Sequence, residues 1–227
     1  SGYVGTRLTN KLLMETDLKI INYDKSLFGD SHLPKHKNYV YIKKGIVHWL
    51  DHNNKNELKV FEMGFGTGLN AYLTYLYSLK NKITCDYFTI EKYPLSLKEV
   101  RSLKFKESLP SPTHHHFFDM LHRSDWNKEL YQSNFFFKKV AEDFFIIDLD
   151  RGFDVLFYDA FSYKAQSEMW HEKALKKCYD IVEPGGIWVS YCAKGSVRRI
   201  LEKLGFLVER LEGPLGKREI LRATKHL

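Results

Sequence analysis

The chain has 227 residues, 44% hydrophobic and 15% aromatic, which suits one α/β domain with a full core and excludes a disordered polymer. Thirty-five basic residues against 28 acidic give a net charge of +7, compatible with a phosphate-rich partner without demanding one. No apolar run approaches the roughly 18 residues of a membrane span, and the start does not read as a signal peptide. Cys85, Cys178 and Cys192 lack CxxC spacing, so the expectation is a cytoplasmic protein with buried, reduced thiols and no membrane partner.

Residues 1–56 read as an N-terminal extension that could cover the substrate side. It holds an expected strand at Leu18–Tyr23, a Lys/His-rich loop at Leu33–Asn38, the segment Tyr39–Ile42 and the apolar stretch Ile46–Leu50. The turn cluster Asp51–Glu57 is the expected boundary before the main domain, residues 57–227. Lys59–Met63 then reads as a buried strand, followed by Gly64, Gly66 and Gly68, which allow positive φ and a close backbone approach. Glu62 and Asn70 flank this turn and are cofactor-side candidates with it. A helix is expected over Leu69–Leu79, its free N–H groups aimed at whatever lies above the turn. Strand Thr84–Ile90 ends at Glu91, roughly 20 residues past the glycines, where a carboxylate can take both hydroxyls of a ribose. The pattern points to an adenosine-type cofactor.

Further along, Ser96–Lys104 reads as a helix behind Pro94, and Pro110–His116 as a loop. Its His114–His116 run has no metal-ligand spacing. Phe135–Val140 is an expected strand followed by Glu142–Asp143, and Phe153–Tyr158 one that runs into Asp159. Asp159 therefore falls at the carboxyl edge of a sheet, where ligands bind, although a strand-end acid can also serve as a cap. Met169–Val182 has helical spacing ended by Glu183–Gly186, and Ile187–Cys192 is a strand. A helix over Ser196–Leu204, a strand at Leu207–Leu211, a turn at Gly213–Gly216 and a strand at Glu219–Thr224 complete the chain. Strands alternating with helices imply a mostly parallel sheet, and the last two strands a closing antiparallel hairpin. That architecture, with E-x-G-x-G-x-G in place of G-x-G-x-x-G, is similar to the Rossmann-like class I S-adenosylmethionine-dependent methyltransferases.

The stretches FEMGFGTGLN, FTIEKYPLS, SDWN, FYDAF with SEMW, EPGG, YCAKGSVRR and GPLGKREILRATK together narrow the likeness. From about Val60 to Lys225 they resemble the tRNA 5-methylaminomethyl-2-thiouridine methyltransferases of the MnmC/MnmD type. The resemblance implies S-adenosylmethionine as cofactor and the anticodon arm of a tRNA as partner, with methylation of an aminomethyl group on the wobble uridine. It implies that Gly64, Gly66 and Gly68 pass under the methionyl part, Glu91 holds the ribose and Asp143 accepts from the adenine amino group. Asp159 would stand beside the methyl and the incoming amine. Phe161, Lys164 and Trp170 are substrate-side candidates, and Phe161 and Trp126 could stack on an extruded base, although core packing is the more common reason for such aromatic residues. Lys194, Arg198, Arg199, Lys217 and Arg218 could contact phosphates or form an ordinary solvated face. The family's long form adds a flavin-dependent oxidase; the ending after GKREILRATK leads us to expect no oxidase half and no FAD. Rival readings are a methyltransferase for another RNA, a protein or a small amine, an aminopropyltransferase, and a non-catalytic RNA-binding module on the same fold. The oligomeric state is left open.

Overall fold

In a computed structural model of the chain, the described residues are 43–53, 55–101, 112–149, 152–163, 165–213 and 218–226. The expected strand Leu18–Tyr23, the loop Leu33–Asn38, the segment Tyr39–Ile42, Lys164 and Lys217 lie outside them. The strands are β1 (Glu57–Met63), β2 (Thr84–Ile90), β3 (Glu129–Gln132), β4 (Phe135–Val140), β5 (Phe153–Tyr158), β6 (Val182–Ser190), β7 (Phe206–Glu212) and β8 (Glu219–Lys225). They form one eight-stranded sheet in the order β3-β4-β2-β1-β5-β6-β8-β7. The inner strands β4, β2, β1, β5 and β6 run parallel. β8 lies antiparallel to both β6 and β7, the expected closing hairpin, and β3 is antiparallel to β4 at the other edge. Chain order reverses direction at β1, so the loops after β1, β2 and β5 meet over its carboxyl end.

The helices are α1 (His48–Asn53), α2 (Leu69–Asn81), α3 (Leu97–Arg101), α4 (His115–Arg123), α5 (Glu172–Ile181) and α6 (Gly195–Lys203). Period-two alternation sorts the strand side chains: Val60, Tyr87, Phe137, Val155 and Val189 face one layer, and Phe61, Phe88, Leu156 and Trp188 the other. Buried residues of α1, α2 and α4 pack on the first face. Those of α5 and α6 pack on the second. All three cysteines are buried thiols.

Several local expectations change. The turn cluster Asp51–Glu57 is shorter, because α1 runs to Asn53 and β1 begins at Glu57. Ile46 and Trp49 are enclosed in the first core layer, and a side chain at Gly45 would come within 3.0 Å of Phe157. Pro110–His116 is not wholly loop: Pro112–His114 is a 3-10 turn leading into α4, whose Phe117, Phe118 and Leu121 supply a buried face. The expected continuous helix over Met169–Val182 is broken at His171, which is extended and caps α5 after the short 3-10 segment Ser167–Trp170. Glu183–Gly186 does more than end that helix. It lies within β6 as an irregularity, so that Phe153 faces Val182 but Val155 faces Ile187. Gly186 is required there, since a Cβ would lie 2.8 Å from the Glu183 carbonyl oxygen.

Because Trp49 is 2% exposed in the first layer, Trp49→Ala should cost about 3–5 kcal/mol. Thermal unfolding should then fall by about 10 °C. An unchanged transition would show that α1 is not part of the cooperatively folded unit.

Candidate active site

The turn after β1 is fixed by the neighbouring strands rather than by its own side chains. The Gly64 and Phe65 N–H groups both donate to the Ile90 carbonyl at the end of β2, at 3.0 and 3.2 Å. The Asp159 N–H donates to the Met63 carbonyl at 3.1 Å, joining the end of β5 to the end of β1. Gly64 has φ +92°, and a Cβ there would lie 3.1 Å from the Asp159 carbonyl oxygen. Gly66, at φ +51°, has no atom within 4 Å of where its Cβ would be, so open space lies over the turn. α2 begins at Leu69 with no side-chain cap on its first turn, which leaves N–H groups directed towards that space.

Three carboxyl groups converge below and beside the turn. Glu91 accepts from the Gly66 N–H through Oε2 at 3.1 Å and from the Tyr93 N–H through Oε1 at 2.9 Å. Burial raises its pKa, against the opposing pull of those backbone N–H groups. Glu62 is 1% exposed and accepts from the Asn70 amide at 2.8 Å. Burial pushes its pKa up to about 8 against the Asn70 amide and the nearby Thr89 and Tyr87 hydroxyls, so it is mostly protonated at neutral pH. Its Oε2, the Tyr87 hydroxyl and the Thr89 hydroxyl are buried without a well-formed hydrogen bond. Asp159 is the third acid, and its charge adds to the upward shifts of both Glu62 and Glu91. Asp143 stands farther along the same edge, paired through Oδ2 with Lys92 at 2.7 Å and accepting from the Phe145 N–H through Oδ1 at 2.8 Å. The Lys92 ammonium holds its pKa below the usual carboxylate range. The pair ties the loops after β2 and β4 together.

The segment 159–161 is held at successive backbone positions. Beyond the Asp159 N–H, the Ala160 carbonyl accepts from the Tyr191 hydroxyl at 2.7 Å and the Phe161 carbonyl from the Trp170 indole N–H at 2.9 Å. Trp170 is 0% exposed and packs edge-on against Tyr158 and Tyr191. This is the packing role that the sequence also allowed for Trp170, and through its indole bond to the Phe161 carbonyl it shapes the Asp159 loop from beneath. Phe161 itself is half-buried. Lys194 occupies the N-cap position of α6 without a side-chain cap, and its ammonium lies 3.6 Å above the centre of the Tyr163 ring. Arg198 pairs with Glu202 at 2.7 Å and leaves its Nε buried without a partner, while Arg199 and Arg218 are exposed. Trp126 packs edge-on against Phe65, with the Lys139 ammonium 4.7 Å from its ring centre. Sequence reasoning missed Tyr191, His122 and Lys139. Tyr191 lies in a stretch read as strand and as part of YCAKGSVRR, without a role of its own; a tyrosine two residues before Ala193–Lys194, beside the polar end of a strand, was the available signal.

Residues 112–226 match a family described as S-adenosyl-L-methionine-dependent methyltransferase. The chain belongs to this family. A curated relative from Leptospira borgpetersenii, "tRNA 5-methylaminomethyl-2-thiouridine biosynthesis bifunctional protein MnmC", is 28% identical over 186 residues, which cover 76% of this chain. The match spans 28% of that relative's length. The crystal structure of MNMC2 from Aquifex aeolicus superposes with a TM-score of 0.60 at 25% identity, covering 77% of this chain and 55% of that one. CalS10 from Micromonospora echinaspora, an amino pentose methyltransferase solved with S-adenosylmethionine bound, shares the fold at a TM-score of 0.51 and 12% identity, covering 88% of this chain and 93% of that one. The described domain is thus an S-adenosylmethionine-dependent methyltransferase domain similar to that of MnmC proteins, and S-adenosylmethionine is its cofactor.

The residues present fit that cofactor. Open space over Gly66, the uncapped start of α2 and the half-buried Glu91 carboxyl lie together. Acids gathered there suit a ligand bearing both a sulfonium and an ammonium charge.

A protonated Glu62 makes stability fall as pH rises. Its folded pKa lies above the usual carboxylate value, so the folded state binds a proton more tightly between about 4.5 and 8. That contribution is complete below the lower value and is lost as pH passes the upper one. Glu62→Gln should flatten the decline in melting temperature between pH 5 and pH 8.5. Equal slopes in variant and wild type would show that the carboxyl is ionised throughout.

Proposed function

We propose that this methyltransferase N-methylates the aminomethyl group on the wobble uridine of tRNA, converting 5-aminomethyl-2-thiouridine to 5-methylaminomethyl-2-thiouridine. The observation that carries the reading is the position of Asp159, at the end of β5 against Gly64 of the cofactor turn, its backbone tied to Met63. The name of the Leptospira relative supplies the substrate class. The enzyme would act in the cytoplasm on the anticodon arm, with the N-terminal extension ahead of the core residues Ile46 and Trp49 on the substrate side.

When bound, the cofactor supplies a sulfonium methyl that is already activated, so in-line displacement needs chiefly positioning. The protein must also present an unprotonated nitrogen, because a free alkylammonium has a pKa of about 10.4. Asp159 orients the amine by accepting a hydrogen bond and receives a proton as the new N–C bond forms. A carboxylate by itself favours the ammonium form, so orientation is its first duty; desolvation beside a cationic sulfonium supplies the opposing drive towards neutral amine. In this reading Gly64, Gly66 and Gly68 pass under the methionyl part, backed by Glu62 and Asn70. Glu91 takes the ribose hydroxyls while keeping its bond to the Gly66 N–H. Asp143 keeps spare lone pairs for the adenine amino group beside its bonds to Lys92 and Phe145. Phe161 faces the base, Lys164 is a further substrate-side candidate, and Lys194, Arg198, Lys217 and Arg218 approach the phosphates.

The test is transfer of labelled methyl from S-adenosylmethionine to tRNA from cells lacking the protein, read by nucleoside mass spectrometry. Label in 5-methylaminomethyl-2-thiouridine supports the reading, and cofactor binding with no label in tRNA overturns the substrate. In the same assay Asp159→Asn should lower turnover by about 100-fold or more, with cofactor affinity little changed. Glu91→Gln should instead weaken cofactor binding by about tenfold, through loss of a charge-assisted hydrogen bond.

A further inference from the structure

On the far side of the glycine turn from Asp159, the end of α4 holds the loop through its backbone. His122 is 9% exposed, and its Nε2 lies 3.0 Å from the Thr67 carbonyl oxygen. A carbonyl can only accept, so Nε2 carries the proton and donates. Burial lowers the imidazole pKa to about 4, leaving the ring neutral with its single proton committed to Thr67. The same peptide is held at its other end, since the Gly68 N–H donates to the Phe65 carbonyl at 2.9 Å. The ring fills the space beside Gly68: a Cβ there would lie 3.1 Å from His122 Nε2 and 2.9 Å from the Phe65 ring.

His122 is itself anchored. The Lys139 ammonium, on β4, donates to the carbonyls of Leu121 and His122 at 2.6 and 3.0 Å. It thereby closes the carboxyl end of α4, where those carbonyls have no partner within the helix. Phe65 and Phe118 pack against the imidazole, with ring centres 5.3 and 4.8 Å away. A chain of contacts therefore runs from the sheet through Lys139 and the end of α4 to the peptide that leads into α2.

We propose that His122 is a positioning residue for cofactor binding: its Nε2–H fixes the Thr67–Gly68 peptide so that the Thr67 carbonyl points away from the cofactor side of the turn. The proposal rests on the reading of this turn as the cofactor cradle. Without that bond only the contact from the Gly68 N–H to the Phe65 carbonyl restrains the peptide, and a carbonyl dipole turned towards the cradle would repel the cofactor's carboxylate and spoil the N–H array at the start of α2.

The experiment compares wild type, His122→Leu and His122→Gln. Glutamine can place an amide N–H near the position of Nε2, and leucine keeps bulk without a donor. Two readouts are taken: amide hydrogen exchange over residues 66–71 in the unliganded protein, with β8 as internal reference, and calorimetric binding of S-adenosylmethionine and S-adenosylhomocysteine. In His122→Leu the loop amides should exchange about tenfold faster while β8 is unchanged, and affinity for both ligands should fall about tenfold, the scale of one lost hydrogen bond. His122→Gln should recover most of both. If wild type binds and His122→Leu binds equally well, or if glutamine restores nothing that leucine loses, the proposal is overturned while the cofactor reading stands. If wild type binds neither ligand, the cofactor reading falls and the proposal falls with it.

Discussion

The arrangement depends on a carboxyl group buried at the end of the central strand. Glu62 points into the layer between β1 and α2, where ionisation is so unfavourable that the group stays protonated near neutral pH. Its bond to Asn70 ties the first turn of α2 to β1, and the chain between them is only long enough for the glycine turn. A neutral Glu62 also lowers the electrostatic cost of the two other acids above it. Like charges on neighbouring carboxyls oppose one another, and here one of the three serves instead as an uncharged hydrogen-bonding strut.

Sheet order does the rest of the assembly. β1 lies between β2 and β5, so the turns leaving the three strands share one crevice although they are far apart in sequence. Their backbones are bonded to one another at the crevice floor: Gly64 and Phe65 to Ile90, and Asp159 to Met63. Farther from the centre, Tyr191 and Trp170 reach up from the second core layer to hold the two carbonyls that follow Asp159. Such buried hydrogen bonds to backbone set loop position more firmly than side-chain contacts at the surface could, because leaving either partner unpaired is costly. The catalytic candidate thus inherits the rigidity of the sheet.

What could be read from the chain follows from where the signal is local. Thr84–Ile90 and Phe135–Val140 are strands over the expected residues because their apolar runs end at charged or turn residues. The glycine turn and its acids were legible because each requires a particular residue type at a particular spacing. α4 was hidden because three histidines and a proline mask its amphipathic face, which appears only when Phe117, Phe118 and Leu121 are placed against the sheet. The β3–β4 hairpin was hidden too. Its turn uses Ser133 at φ +55°, where a glycine or asparagine would have been the usual sign. Trp170 was ambiguous for a different reason: a tryptophan near a catalytic loop reads alike whether it faces ligand or core, and its burial against Tyr158 and Tyr191 becomes visible only in the fold. Residues that act on backbone, such as His122 and Tyr191, leave no spacing pattern because their partners are carbonyls that every residue has.

The polar groups on the two sides of the crevice differ in how firmly they are held. Glu91 is bonded to backbone N–H groups and Glu62 to a buried amide, so both keep their geometry before any ligand arrives. Arg198, by contrast, shares only an i,i+4 ion pair with Glu202 at a half-exposed position, and such pairs contribute about 0.3–0.5 kcal/mol. Lys194 rests on the face of Tyr163, an exposed cation–π contact of about 0.5–1 kcal/mol. On the proposed reading, a phosphate could draw both cations away at little cost, and moving Lys194 would uncover an aromatic ring two residues from Phe161. On that reading the interior acids are built to stay and the surface cations to be exchanged, a division suited to holding a small cofactor rigidly while a large polyanion comes and goes.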